Sequence, residues 1–258
     1  MTVRVSPLAY SLIAFALMFG GMVLGMVLRT RLPNHHLSDE SKDAVKVGTA
    51  LIATLTALVL GLLIASAKGN YDTLNNELEH ISAKIMQLDS VLADYGPEAR
   101  ETRDHLRSSV ILGIQRFWPE ERDTSMVAKV RQPSGALRDL RNNLLQLSPH
   151  NDAQRWLRSR ALQVNAEIAD TRWLLVPQAG KSSLPNLARL LLTFWLTFLF
   201  FSFGLFSPRN AMVITVFVIC ALSAAGSLLL ILELDQPYQG LLKISSEPLR
   251  DALKYLGQ

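Results

Sequence analysis

The sequence predicts an all-α membrane protein: four transmembrane helices in a two-plus-two arrangement, with a helical extramembrane region between the second and third. Three observations carry this expectation. Four stretches, 8–28, 47–67, 187–206 and 211–232, are long and almost free of charge. The hydrophilic middle, 68–186, repeats its apolar residues at helical spacing. No segment alternates apolar and polar residues for long enough to suggest a sheet. At ~1.5 Å rise, about 20 residues cross a hydrocarbon core of ~30 Å.

The first stretch follows Arg4 and ends GMVLGMVLRTRLP. It is longer than a signal-peptide core and lacks an A-x-A-like cleavage site, so it reads as a retained helix. Gly21 and Gly25 form a GxxxG, the spacing that lets two helix backbones approach closely in lipid. The second stretch repeats small residues at Ala53, Ala57, Gly61 and Ala65. This row suits contact with another helix, in the same subunit or in a neighbour. Thr54, Leu58 and Leu62 form an adjacent stripe. It faces lipid or core in a lone subunit, and would line a narrow apolar neck if several copies surrounded an axis. The third stretch contains LLLTFWLTFLFFSFGLF, whose six Phe and one Trp read as lipid-facing bulk. The only cysteine, Cys220, lies in the fourth, so no intrachain disulfide is possible.

This arrangement places both termini and residues 68–186 on one side, with the arm 29–46 and the turn SPRN (207–210) on the other. Near the spans, Arg4, Lys68, Lys84, Arg172, Lys181, Lys243 and Arg250 outnumber Arg29, Arg31, Lys42, Lys46 and Arg209. The bias predicts an inner-membrane protein with a cytoplasmic middle region and termini.

In the middle, Leu74, Leu78, Ile81, Ile85, Leu88 and Leu92 form a heptad seam. No proline separates them from the second span, so one helix should leave the membrane and continue past Gly69. Gly96-Pro97 should stop it and start the next. That helix, about 97–117, is expected to bury Leu106, Val110, Ile114 and Phe117. A shorter one follows Ser134, with Leu137, Leu140, Leu144 and Leu147. The last, about 151–175, carries Leu157, Ala161, Val164, Ile168 and Leu175.

At the far end, Glu233 and Asp235 are expected at the membrane boundary, reaching water, with Pro237 ending or bending the span. Ser246 should cap a tail helix within 245–258. Its apolar face, Leu249, Ala252, Leu253 and Leu256, should dock on the extramembrane helices.

Several function classes find no support. The net charge of +4 is modest and its cations are interleaved with acids, against a nucleic-acid partner. His35-His36, beside Asp39, Glu40 and Asp43, lack the further ligands of a metal set. His80, His105 and His150 occupy polar positions and read as surface residues. No Walker, GxSxG, HExxH or CxxC pattern is present, so neither an enzyme nor a cofactor is expected.

Two segments carry a family resemblance. LVLGLLIASAKGNYDTLNNE (58–77) resembles the second span of bestrophins, which passes an apolar neck and a Leu-Gly pair before leaving the membrane as a polar helix. ELDQPYQG (233–240) resembles the acidic-Asn-Pro-aromatic-Gly stretch after their last span. Together with YGPEARETRDHLRSSV, RFWPEE and LDQPYQGLLKISSEPLRDAL, the chain is similar to the bacterial bestrophin-like group over nearly its whole length. The resemblance implies a single bestrophin-like domain over 1–258 and a homo-oligomer, a pentamer, whose second spans surround an axis and pass anions. Matching Leu60-Gly61 carries the neck positions to Thr54, Leu58 and Leu62. This chain departs from the animal members in having no aromatic residue in the second span. It also lacks their acidic calcium clasp, only Glu247 and Asp251 following the proline turn. Beside the channel, the residues leave open a membrane-anchored helical scaffold or signalling partner without conductance.

Overall fold

Ser6 begins the first helix. Its hydroxyl accepts a hydrogen bond from the Ala9 amide at 3.2 Å, and Pro7 fills the first turn, where its missing N–H costs nothing. A computed structural model describes residues 6–31, 39–119, 136–178, 186–238 and 240–257. Among them are eight α-helices and no strand: α1 (Pro7–Arg29), α2 (Asp39–Tyr95), α3 (Arg100–Phe117), α4 (Ala136–Gln146), α5 (Asp152–Gln178), α6 (Asn186–Phe206), α7 (Ala211–Leu234) and α8 (Glu247–Tyr255). α1, α2, α6 and α7 are each long and apolar enough to cross a membrane. His35, His36 and Ser134 lie outside the described residues, as do the side chains of Leu137 and Leu175.

The 57-residue α2 starts well before the expected residue 47. Its opening DESKDAVK contains neither glycine nor proline, and Asp43 and Lys46 pair at 3.1 Å along one face. Neither Gly48 nor Gly69 interrupts it. It stops at Gly96, whose φ of 119° is a backbone conformation that glycine adopts without a steric penalty. Pro97 then opens the short 3₁₀ turn leading into α3.

The chain divides into two compact units, Met1–Tyr71 with Ser182–Leu242, and Asp72–Lys181 with Lys243–Gln258. In the first, Ala14, Met18, Met22 and Met26 of α1 pack with Leu196 and Phe200 of α6 and Ala221, Ala225 and Leu228 of α7; Leu60 of α2 lies at the rim of this cluster. Unbranched methionines fill the irregular gaps between aromatic and small neighbours. Polar atoms are paired as lipid requires: the Tyr10 hydroxyl donates to Arg189 O at 3.1 Å and shares a 2.9 Å bond with the Thr193 hydroxyl.

The second unit is built on the heptad seam. Leu74, Leu78, Ile81, Ile85, Leu88 and Leu92 are all buried, as are Leu106, Val110 and Ile114 of α3, Leu140 and Leu144 of α4 and Leu147 just after it, and Ala161, Val164 and Ile168 of α5. In water, each fully buried leucine contributes roughly 1.5–3 kcal/mol. Connections are fastened by side chains: Gln154 Nε2 donates to Tyr95 O at 3.0 Å, and Arg158 Nη1 to Leu147 O at 3.1 Å. One expectation shifts by a residue. Phe117 is only half-buried, and Trp118 takes the interior position. Trp118 leaves helical backbone (φ −122°, ψ 71°), and its indole N–H donates to Ile244 O at 2.8 Å.

That bond helps seat the C-terminal tail. α8 packs on α3 through buried Leu249 and Ala252, with Leu256 just beyond and Leu253 half-buried. The cap differs from expectation. Ser246 makes no side-chain cap, and it is the Ser245 hydroxyl that accepts from the Glu247 amide, at 3.1 Å. The αR backbone of Ser246 explains this, since a capping hydroxyl is aimed at the first-turn amides from an extended residue.

Candidate functional site

In the apolar half of α2, the buried positions include Thr49, Thr56 and Ala67, with Leu60 half-buried beside the α1–α6–α7 cluster. At about 100° per residue these positions share one side of the helix. The opposite side carries Val47, Leu51, Leu55, Leu58 and Leu62. Leu58 is 69% exposed and Leu62 68%, against 2% for Thr56. Thr54 is also exposed, with its hydroxyl donated to Ala50 O at 2.9 Å. The three neck candidates therefore share the face of α2 turned away from the packing within this chain. The face is apolar: its hydroxyl proton is already committed to the backbone.

The small-residue row behaves differently along its length. Successive residues four apart rotate by about 40° around a helix. Ala53 accordingly lies half-buried at the flank of the packed side, whereas Ala57, Gly61 and Ala65 are exposed, and a methyl group added at Gly61 would meet nothing within 4 Å. Gly21 and Gly25, by contrast, serve contact between helices of this chain. A Cβ at Gly21 would lie 3.1 Å from Thr197 O, and one at Gly25 2.8 Å from Leu205 N. Gly204 of α6 reciprocates, its absent Cβ leaving room for the backbone of Met22. The sequence reading did not single out Gly204; the signal was a lone glycine inside an aromatic-rich span.

The exit motif folds inward. Glu233, expected to reach water, is 4% exposed. Its Oε2 accepts the amides of Leu241 at 2.5 Å and Leu242 at 3.4 Å. The chain after α7 doubles back, so the buried carboxylate is paired with backbone donors of the returning segment. Gly240 makes the return possible: its φ is 96°, and a Cβ there would press against the Glu233 carboxyl group. Asp235 is the half-buried C-cap, its amide donating to Ile231 O at 3.1 Å, and Pro237 is buried in the turn. The return loop is thus a locked structural element.

Among the described residues, no group of three or more His, Cys, Asp or Glu is placed to hold a metal ion. His80, His105 and His150 are exposed.

A search of the curated proteins finds no match to this sequence. Solved structures do match. A crystal structure of a bacterial bestrophin homologue from Klebsiella pneumoniae superposes with a TM-score of 0.68 at 16% identity, covering 99% of this chain and 100% of that one. A second structure of such a homologue from the same organism gives 0.66 at 15% identity, over 95% and 96% of the two chains. A crystal structure described as a membrane protein gives 0.68 at 14% identity, over 96% and 99%. At these identities the likeness establishes the fold. The model of the Bestrophin-like domain matches residues 16–249, across both compact units. The chain belongs to the Bestrophin-like family, and is a membrane protein of that family.

Proposed function

We propose that the protein is a homo-oligomeric, anion-conducting channel whose constriction is walled by Thr54, Leu58 and Leu62 of α2. One observation carries this reading: the neck candidates lie on the face of α2 opposite its own packing, leaving about five apolar side chains outward at helical spacing. Copies of that face around an axis would form apolar rings about one helical turn apart. The family resemblance supports a pentamer, with anions as the permeant species. In the same reading the protein is no enzyme, lies in the inner membrane with four spans, and keeps residues 68–186 and both termini in the cytoplasm.

The chemistry of such a neck is that of a weak conductor. Leucine methyls offer nothing to replace an ion's hydration shell, and Thr54 has already spent its proton on Ala50 O. With no aromatic ring and no carboxylate on this face, selectivity rests on size, hydration and the surrounding cationic balance. Basal flux is expected to be low.

Reconstituted liposomes test the proposal. Leu58→Ala should widen the ring and raise anion flux above that of the native protein. Leu58→Asp should place a ring of negative charge in the path and shift permeability toward cations. A non-conducting scaffold predicts that both variants stay assembled and silent. That result would replace the channel reading.

A further inference from the structure

Three arginines gather at one end of the first unit. Arg29 closes α1, Arg31 follows in the turn, and Arg209 stands in the short connection between α6 and α7. Reciprocal hydrogen bonds bring two of them together: Arg29 Nη1 donates to Ser207 O, and Arg209 Nη2 to Met26 O at 2.8 Å. Each bond satisfies a carbonyl near the C-terminal end of an apolar helix, where a cation also complements the helix dipole.

Capping accounts for one nitrogen of each guanidinium. A guanidinium has five N–H donors, so most donors of Arg29 and Arg209 are left over. The exposed Arg31 contributes only its backbone amide, to Leu28 O at 2.9 Å. Among the described residues, no carboxylate forms an ion pair with any of the three. Among the described residues this cluster of like charges has no acid paired with it, which favours an anion from outside the chain.

Position narrows the choice. The cluster lies at the ends of three helices, α1, α6 and α7, each able to cross a membrane. In a bilayer crossed by these helices such ends would lie at the depth of lipid phosphates, and the planar fork of arginine matches phosphate oxygens. We infer that this end of the unit binds the phosphodiester headgroup of an anionic lipid. Arg31 and Arg209 make the charged contacts, and Arg29 holds the turn that presents them. Free phosphate shares this chemistry, so the test has an arm for each source.

The full chain, delipidated in neutral detergent, is titrated with phosphatidylglycerol, phosphatidylcholine or inorganic phosphate and followed by native mass spectrometry. Phosphatidylglycerol should form saturable adducts at concentrations where the other two do not. Arg31→Gln leaves every side-chain bond described above intact, so the fold is retained. It should weaken phosphatidylglycerol binding by about fivefold, as should Arg209→Gln. Circular dichroism checks that Arg209→Gln is folded. Equal adducts with phosphatidylcholine would overturn the assignment. So would unchanged phosphatidylglycerol binding in the folded Arg31→Gln variant, or adducts with inorganic phosphate at matching concentration.

Discussion

Asp89 and Arg103 face each other across α2 and α3 in a bidentate pair. Nε and Nη2 of the arginine each donate to a separate carboxylate oxygen at 2.8 Å. The Gly257 amide adds a third donor to Asp89 at 3.3 Å. One largely buried carboxylate thus joins the heptad helix, its neighbour and the end of the chain. The hydrogen bond to Asp89 holds the Arg103 guanidinium pKa above its already high ordinary value.

Removing one member of this set should cost more than removing both. Asp89→Ala removes two charge-assisted hydrogen bonds from a mostly buried guanidinium and should lower stability by about 3 kcal/mol, the lower end for buried pairs because Arg103 keeps some solvent contact. Replacing Asp89 with Leu and Arg103 with Met together should recover much of the loss. Urea unfolding of the full chain in detergent, followed by tryptophan fluorescence, measures both. A double variant as unstable as the single one would contradict the assignment.

The glycines of the membrane helices divide into two kinds, and alanine should separate them. Gly204→Ala places a methyl group 2.8 Å from the Met22 carbonyl carbon, where neither backbone can move aside cheaply. A loss of about 1–3 kcal/mol is expected, with a lower melting temperature in detergent. Gly61→Ala meets open space within the chain and should be neutral or stabilise the helix by up to about 1 kcal/mol. Gly61→Leu should likewise fold. If that face meets another copy in the proposed oligomer, it should also shift the assembly observed by native mass spectrometry.

Acid should loosen the second unit in a defined direction. Glu167 accepts from Lys84, and this hydrogen bond draws its carboxyl pKa below the ordinary 4.5. A depressed carboxylate contributes stability that is present above the unfolded value and is lost as pH falls through the folded one. The native chain should therefore lose stability below about pH 4.5 more steeply than Glu167→Gln, and the two should titrate in parallel at neutral pH. The pair is partly exposed, so the difference should be small and should shrink in high salt.

The four-span topology is tested with single cysteines after Cys220 is replaced. Thr30 and Ser159 are both exposed positions, at the end of α1 and within α5. A membrane-impermeant thiol reagent applied to intact cells should label a cysteine at 30 and leave one at 159 unlabelled until the membrane is opened. Equal labelling of both in intact cells would rule out the proposed arrangement.

The helices themselves were legible in the residues, apart from the early start of α2 at Asp39. Runs of about 20 uncharged residues leave a chain little alternative to spanning helices in lipid, because each backbone polar group must be paired within the segment. The heptad of Leu74 to Leu92 likewise announced its own burial, and Gly96-Pro97 its own break. Patterning of this kind is local. Tertiary structure decided what depends on approach between distant segments. No spacing rule shows that Gly204 admits the backbone of Met22, or that Trp118 rather than Phe117 turns inward to reach Ile244. Glu233 is the clearest case. Its place after an apolar run suggested a carboxylate meeting water, but the chain returns through Gly240 and supplies two amides that compete with solvent for the same oxygen. The outward face of Thr54, Leu58 and Leu62 needed both levels. The sequence offered two adjacent stripes on an apolar helix, and packing through Thr56 and Leu60 on its far side left Thr54, Leu58 and Leu62 outward.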